Sequence, residues 1–149
     1  MKLIVNSDDF GLTPGVNLGI IDALKRGILR STTAMVNMPA IEMAAELAKA
    51  NPDLGVGIHL VLTAGKPLLK THKTIVDEKG NFLKNAVLVR KQDVDVEEVY
   101  TEYEAQMERY IELFGHKPTH IDGHHHTHKL PQTVEATKRL AEKYGMKYI

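Results

Sequence analysis

The 149-residue sequence contains no cysteine and no tryptophan. Without cysteine there are no disulfides and no thiolate ligands, so a bound metal would have to be held by His, Asp or Glu. Net charge is missing too, because 19 Lys and Arg balance 19 Asp and Glu. The basic residues are scattered (Lys25, Arg26, Lys66, Lys70, Lys138, Arg139) with no arginine-rich stripe, which argues against a nucleic-acid partner. No apolar run approaches the roughly 20 residues that cross a bilayer, so no membrane partner is expected. Lys2-Leu3-Ile4-Val5 is too short for a signal peptide and runs into acidic residues, which points to a cytoplasmic protein. Phosphate loops, serine nucleophile elbows and dinucleotide fingerprints are also lacking; Gly11-Leu12-Thr13-Pro14-Gly15 fits neither glycine pattern.

What is present is an ordinary globular balance, 43% hydrophobic and 26% charged, in a length that suits one domain over residues 1–149. Apolar runs alternate with helix-period segments. Lys2–Ser7, Thr32–Asn37, Gly55–Leu62 and Thr119–Gly123 read as strands, and Met146–Ile149 starts a fifth. Thr13 and Pro14 open a helix with Val16, Ile20, Leu24 and Ile28 on one stripe. Ala40–Ala50 reads as a second helix. Asp95 caps a third, with Glu98 three residues on and the core stripe Val99, Tyr103, Met107, Tyr110 and Phe114, ended by Gly115. Pro131 opens a fourth that runs to Gly145. An insertion over residues 63–94 interrupts the alternation and contains a hairpin turning at Lys79-Gly80-Asn81; it is either a substrate lid or a surface excursion. The βα order predicts an α/β fold with a mainly parallel sheet, open or closed into a barrel. Function then belongs at the carboxyl ends of the strands.

Three polar clusters sit at such ends. Thr119-His120-Ile121-Asp122-Gly123-His124-His125-His126-Thr127-His128 holds five of the eight histidines and a carboxylate within ten residues, a density that packing does not explain. Period-two alternation would put His120, Asp122, His124, His126 and His128 on one face, although the chain should leave the strand near Gly123. Asn6-Ser7-Asp8-Asp9-Phe10-Gly11 offers paired carboxylates that could divide metal binding and proton transfer between them, or cap a turn. His59 in Gly57-Ile58-His59-Leu60 is a ligand or a satisfied core histidine. His72 and His116 stand alone and are expected to face solvent. Imidazoles with a carboxylate leave open positions on a divalent ion, as a hydrolytic site requires.

These segments resemble the YdjC-like, or ChbG-type, carbohydrate (chitooligosaccharide) deacetylases. Leu3-Ile4-Val5-Asn6-Ser7-Asp8-Asp9-Phe10-Gly11, Ser31-Thr32-Thr33-Ala34-Met35-Val36-Asn37, Gly57-Ile58-His59-Leu60-Val61-Leu62-Thr63 and Pro118 to His128 carry the likeness over nearly the whole chain. The resemblance implies a parallel (β/α) barrel-like hydrolase that removes the acetyl group from N-acetylated sugars, and an association into homodimers. It puts metal ligands on Asp9, His59 and His124, with Asp8 activating water. His126 and His128 are then candidates to protonate the departing nitrogen, with Asp122 and His120 in support. The resemblance implies Mg2+, whereas two imidazoles suit Zn2+ better. Members of the family are longer, so the chain corresponds to about the N-terminal half of the barrel. The other readings are a metallophosphoesterase, which could use the same ligands, and a non-catalytic sugar- or metal-binding fragment.

Overall fold

The computed structural model describes residues 3–149, so Lys2 of the expected first strand lies outside the described residues. Four strands, β1 (Asn6–Phe10), β2 (Ser31–Ala34), β3 (Gly55–Leu60) and β4 (Ile121–Gly123), pair in the order β1-β2-β3-β4. Every pairing is parallel. Right-handed crossovers between sequential parallel neighbours put all the helices on one face, as in a sector of a barrel. Those helices are α1 (Pro14–Arg26), α2 (Ile41–Lys49), the short α3 (Asn85–Leu88), α4 (Val96–Phe114) and α5 (Val134–Tyr144).

Local chemistry sets the helix ends. The Thr13 hydroxyl accepts from Val16 N, and the Asp95 carboxylate accepts from Glu97 N, each cap contributing about 1 kcal/mol. Gly115 and Gly145 close α4 and α5 in the left-handed conformation. Val99, Tyr103, Met107 and Tyr110 are fully buried against the sheet, and the Tyr110 hydroxyl donates to Val56 O at 2.9 Å. Phe10, Ile58 and Leu60 meet them from the strands, and Met35 from just beyond β2.

Several expected boundaries move. Pairing in β1 begins at Asn6, and Leu3 and Ile4 are exposed rather than in a buried strand. β2 starts at Ser31 and ends at Ala34, short of Asn37. α1 stops at Arg26, which leaves Ile28 exposed and hands its expected core place to Leu29. The expected hairpin of the insertion is a single antiparallel bridge, Val76 to Phe82, around a turn in which Asp77 accepts from Lys79 N and Asn81 N. Residues 146–149 form no strand, although Tyr148 O accepts from Ile121 N at 3.0 Å on the free edge of β4.

His72 is buried, not solvent-facing. Its Nε2 lies 3.1 Å from the Glu102 carboxylate of α4, which also accepts from Leu68 N and Leu69 N. The insertion needs that carboxylate to satisfy its own backbone donors, and His72 is drawn inward with it. His116 is exposed, as expected.

Candidate metal centre

At the carboxyl end of β1 the register slips by one residue. Asn6 pairs with Ser31 and Ser7 with Thr32, but Phe10 pairs with Ala34. The extra residue forms a bulge, absorbed at Asp9 with φ 67. Aspartate tolerates this left-handed conformation better than most residues, and bulges commonly re-aim a side chain next to a site. Gly11, at φ 100, completes the exit; a Cβ there would lie 2.9 Å from Ile41 Cδ1.

His59, near the end of β3, pairs in register with Asp122 of β4. Its ring is buried at 3% exposure, yet neither nitrogen is idle. Nδ1 lies 2.6 Å from Asp122 Oδ1, and Nε2 lies 3.4 Å from Asp9 Oδ1. Asp122 Oδ2 in turn accepts from the Thr33 hydroxyl at 3.1 Å. The first residue beyond β4 is His124, whose Nδ1 is 3.1 Å from the same Asp9 oxygen. The His59 and His124 rings stand edge to face with centroids 5.4 Å apart. Ligand atoms of Asp9, His59 and His124 therefore lie within 4.8 Å of one another, and so do those of Asp8, His59 and Asp122.

Beyond Gly123 the strand gives way to a 3-10 turn over His124–Lys129, with His125 and His126 at φ 54 and 56. Among the described residues, Asp9, His125 and His126 are the non-glycine residues with positive φ, so this conformation is confined to the centre. The expected alternation of faces accordingly stops at Asp122. His125 turns back to Thr63 at the mouth of the insertion, its Nδ1 2.9 Å from the Thr63 hydroxyl. His126 is exposed, whereas His128 is buried with its ring against Gly123, where a Cβ would fall 2.6 Å from Nδ1. His120 lies in the same way over Gly57, a Cβ there falling 2.6 Å from its ring. At both positions glycine makes room for an imidazole.

Burial sets the protonation of these rings. It lowers the pKa of His124 against the opposing pull of Asp9, and that of His120 against Asp122 and Asp8. It takes His128 down to about 4, helped by Lys129. Neutral imidazoles are the form that binds metal. The donor set fits a divalent ion: two imidazole nitrogens, one carboxylate, and a carboxylate behind His59 of the kind that orients metal-binding histidines.

The sequence had pointed to Asp8, Asp9, His59 and the 120–128 segment. It did not single out Thr33 or Thr63, because threonine in or beside a strand reads as β propensity. The signal for Thr33 was its period-two place with Ser31 on the face that carries His59.

The description of the YdjC-like protein family matches residues 2–149. The chain is 49% identical over 146 residues to a carbohydrate deacetylase of Clostridium beijerinckii, covering 98% of this chain and 58% of that one. It is 46% identical over 145 residues to a chitooligosaccharide deacetylase of Escherichia fergusonii, covering 97% and 57%. A crystal structure from Enterococcus faecalis V583, provisionally described as a cellobiose-phosphate cleavage protein, superposes with a TM-score of 0.90 at 40% identity, over 97% of this chain and 57% of that one. The chain thus spans little more than half the length of these relatives.

Proposed function

The chain belongs to the YdjC-like family, and from that premise we propose that it is the metal-holding part of a carbohydrate deacetylase, which hydrolyses the acetamide of an N-acetylated amino sugar of the chitooligosaccharide type. The convergence of Asp9, His59 and His124, with Asp122 behind His59, supports this reading in a chain whose relatives carry that name.

Asp9, His59 and His124 would hold the ion, with Zn2+ favoured by two imidazoles and Mg2+ by family resemblance. A divalent ion there supplies a Lewis acid for the amide carbonyl and for water. Asp8 is exposed beside this set, its Oδ1 held at 2.9 Å by the Asn6 amide. It takes the proton from the attacking water as the oxygen bonds to the acetyl carbon. The carbon–nitrogen bond then breaks, acetate leaves, and the sugar nitrogen must receive a proton. His126 and His128 are the candidates to supply it, and burial lowers the pKa of His128 to about 4, so little of that ring carries a proton at neutral pH. His120 and Asp122 hold the lumen side, and His125 with Thr63 ties the insertion to the rim.

The test is acetate release from N,N′-diacetylchitobiose by metal-stripped full chain with Mg2+ or Zn2+ restored. Acetate that depends on the ion is the expected result. Asp8→Asn should keep metal binding and lose turnover by about 10²–10⁴-fold, the usual scale of a general base. Release of phosphate from a phosphorylated disaccharide, with no acetate under either ion, would replace this reading by the phosphoesterase one.

A further inference from the structure

We propose that Thr33 is a positioning residue that decides which of two overlapping donor sets takes the ion. The inference rests on the metal reading above and adds to it a role for a residue of β2. The two sets, Asp9 with His59 and His124, and Asp8 with His59 and Asp122, share His59. An ion in the second set would recruit Asp8 and Asp122 as ligands, and Asp8 could no longer serve as a base.

The hydrogen bonds favour the first set. Asp122 Oδ1 is engaged by His59 Nδ1 at 2.6 Å, and Asp122 Oδ2 by the Thr33 hydroxyl at 3.1 Å. Each oxygen of the carboxylate therefore has a partner, and its rotation is fixed. A hydroxyl has one proton to give, and here it goes to Asp122. Asp122 in turn fixes the proton of His59 on Nδ1, leaving the lone pair of Nε2 on the side of Asp9. The Thr33 oxygen also lies 3.2 Å from Nδ1, so it closes a triangle with the two groups it aligns.

Thr33 is suited to hold this geometry. It is fully buried, and β-branching restricts its χ1. Its register partner on β3 is Gly57, over which the His120 ring lies, so no β3 side chain separates Thr33 from Asp122 two strands away. Without the hydroxyl, Asp122 Oδ2 is free to turn toward Asp8 and the second set opens.

The test uses the full chain as wild type, Thr33→Val and Thr33→Ser, with folding checked by circular dichroism. Zn2+ affinity is measured by chelator competition, and ligand geometry by the visible absorption of bound Co2+. Thr33→Val should bind Zn2+ about 10–100-fold more weakly, the scale of lost outer-shell partners, with an altered Co2+ spectrum. Thr33→Ser should restore both. In an Asp122→Asn background, Thr33→Val should cost little more, because Thr33 acts through Asp122. If Thr33→Val does not fold, Thr33→Ala takes its place. Wild-type affinity and spectrum in the variant, or a fully additive loss in the double variant, would overturn this inference and leave the metal reading intact. No uptake of Zn2+ or Co2+ by the wild type would overturn the metal reading itself, and this inference with it.

Discussion

His128 is 2% exposed, and its Nδ1 has no hydrogen-bond partner among the described residues. An imidazole in such a place resists protonation, and burial lowers its pKa from 6.5 to about 4. The unfolded chain binds its proton first, so between those two values it holds more protons than the folded chain. The contribution is complete above pH 6.5 and is lost as the pH falls toward 4, on the order of 3 kcal/mol in all. His120 and His124, both also lowered, act in the same direction. Urea unfolding with chelator present should therefore show a wild type much less stable at pH 5 than at pH 7.5, and His128→Gln should flatten that difference. A variant with an unchanged pH slope would show that His128 is not its source. At this scale much was legible from the sequence. The rule that function gathers at strand exits brought Asp8, Asp9, His59 and His124 forward, and the structure draws those residues together. The parts that could not be read depended on partners far along the chain. The place of Thr33 follows from Asp122, 89 positions away, and the burial of His72 follows from Glu102.

α4 carries a second stripe beside its apolar one. Glu98, Glu102 and Gln106 recur at helical spacing, and all three face the insertion or the exit of β3. Glu98 accepts from Lys73 N and Thr74 N, while Gln106 receives Val61 N and donates to Val61 O. Glu102, fully buried, is the hinge pin of this docking. Glu102→Ala would orphan Leu68 N and Leu69 N along with the His72 ring, at about 1–3 kcal/mol for each group that water cannot reach. Hydrogen exchange should then accelerate over residues 63–94 while the sheet amides keep their protection. Equal acceleration throughout would mean that α4 supports the whole fold rather than the insertion. The same helix shows how far periodicity carries. Its cap, apolar stripe and closing glycine were all legible, but the apolar stripe drew attention from the polar one next to it. In β1 and β2, apolar content pulled the expected strands toward Leu3-Ile4-Val5 and Met35-Val36. The observed strands reach on to Asp8, Asp9 and Phe10 in β1 and begin at Ser31 in β2, because a barrel sector turns alternate polar side chains such as Asn6, Asp8, Ser31 and Thr33 toward its lumen.

For the whole molecule, strand order is the governing fact. With helices on one face only, the other face of the sheet is a hollow of about 640 Å³ whose lining includes Leu3, Ile4, Ile121, Tyr148 and Ile149. Leu3, Ile4, Tyr148 and Ile149 are 58–79% exposed, beside a β4 edge that pairs with residues 146–149 at a single backbone bond. Exposed apolar clusters and free edges favour association. A solution of these 149 residues alone should bind a hydrophobic dye and scatter light as a species heavier than the 16.6 kDa monomer. A dye-silent monomer would show that the hollow closes by itself. Among the described residues no helix is long and apolar enough to cross a membrane. Donors from β1, β3 and the end of β4 meet only if each strand is set correctly against its neighbour. A slip of one residue would turn Ile58 and Ile121 toward the lumen in place of His59 and Asp122. Such a chain could be compact and helical and still capture no ion. If the centre takes an ion as proposed, its uptake would serve as a proofreading signal for strand alignment, separating correctly threaded molecules from near misses that spectroscopy of secondary structure would count as folded.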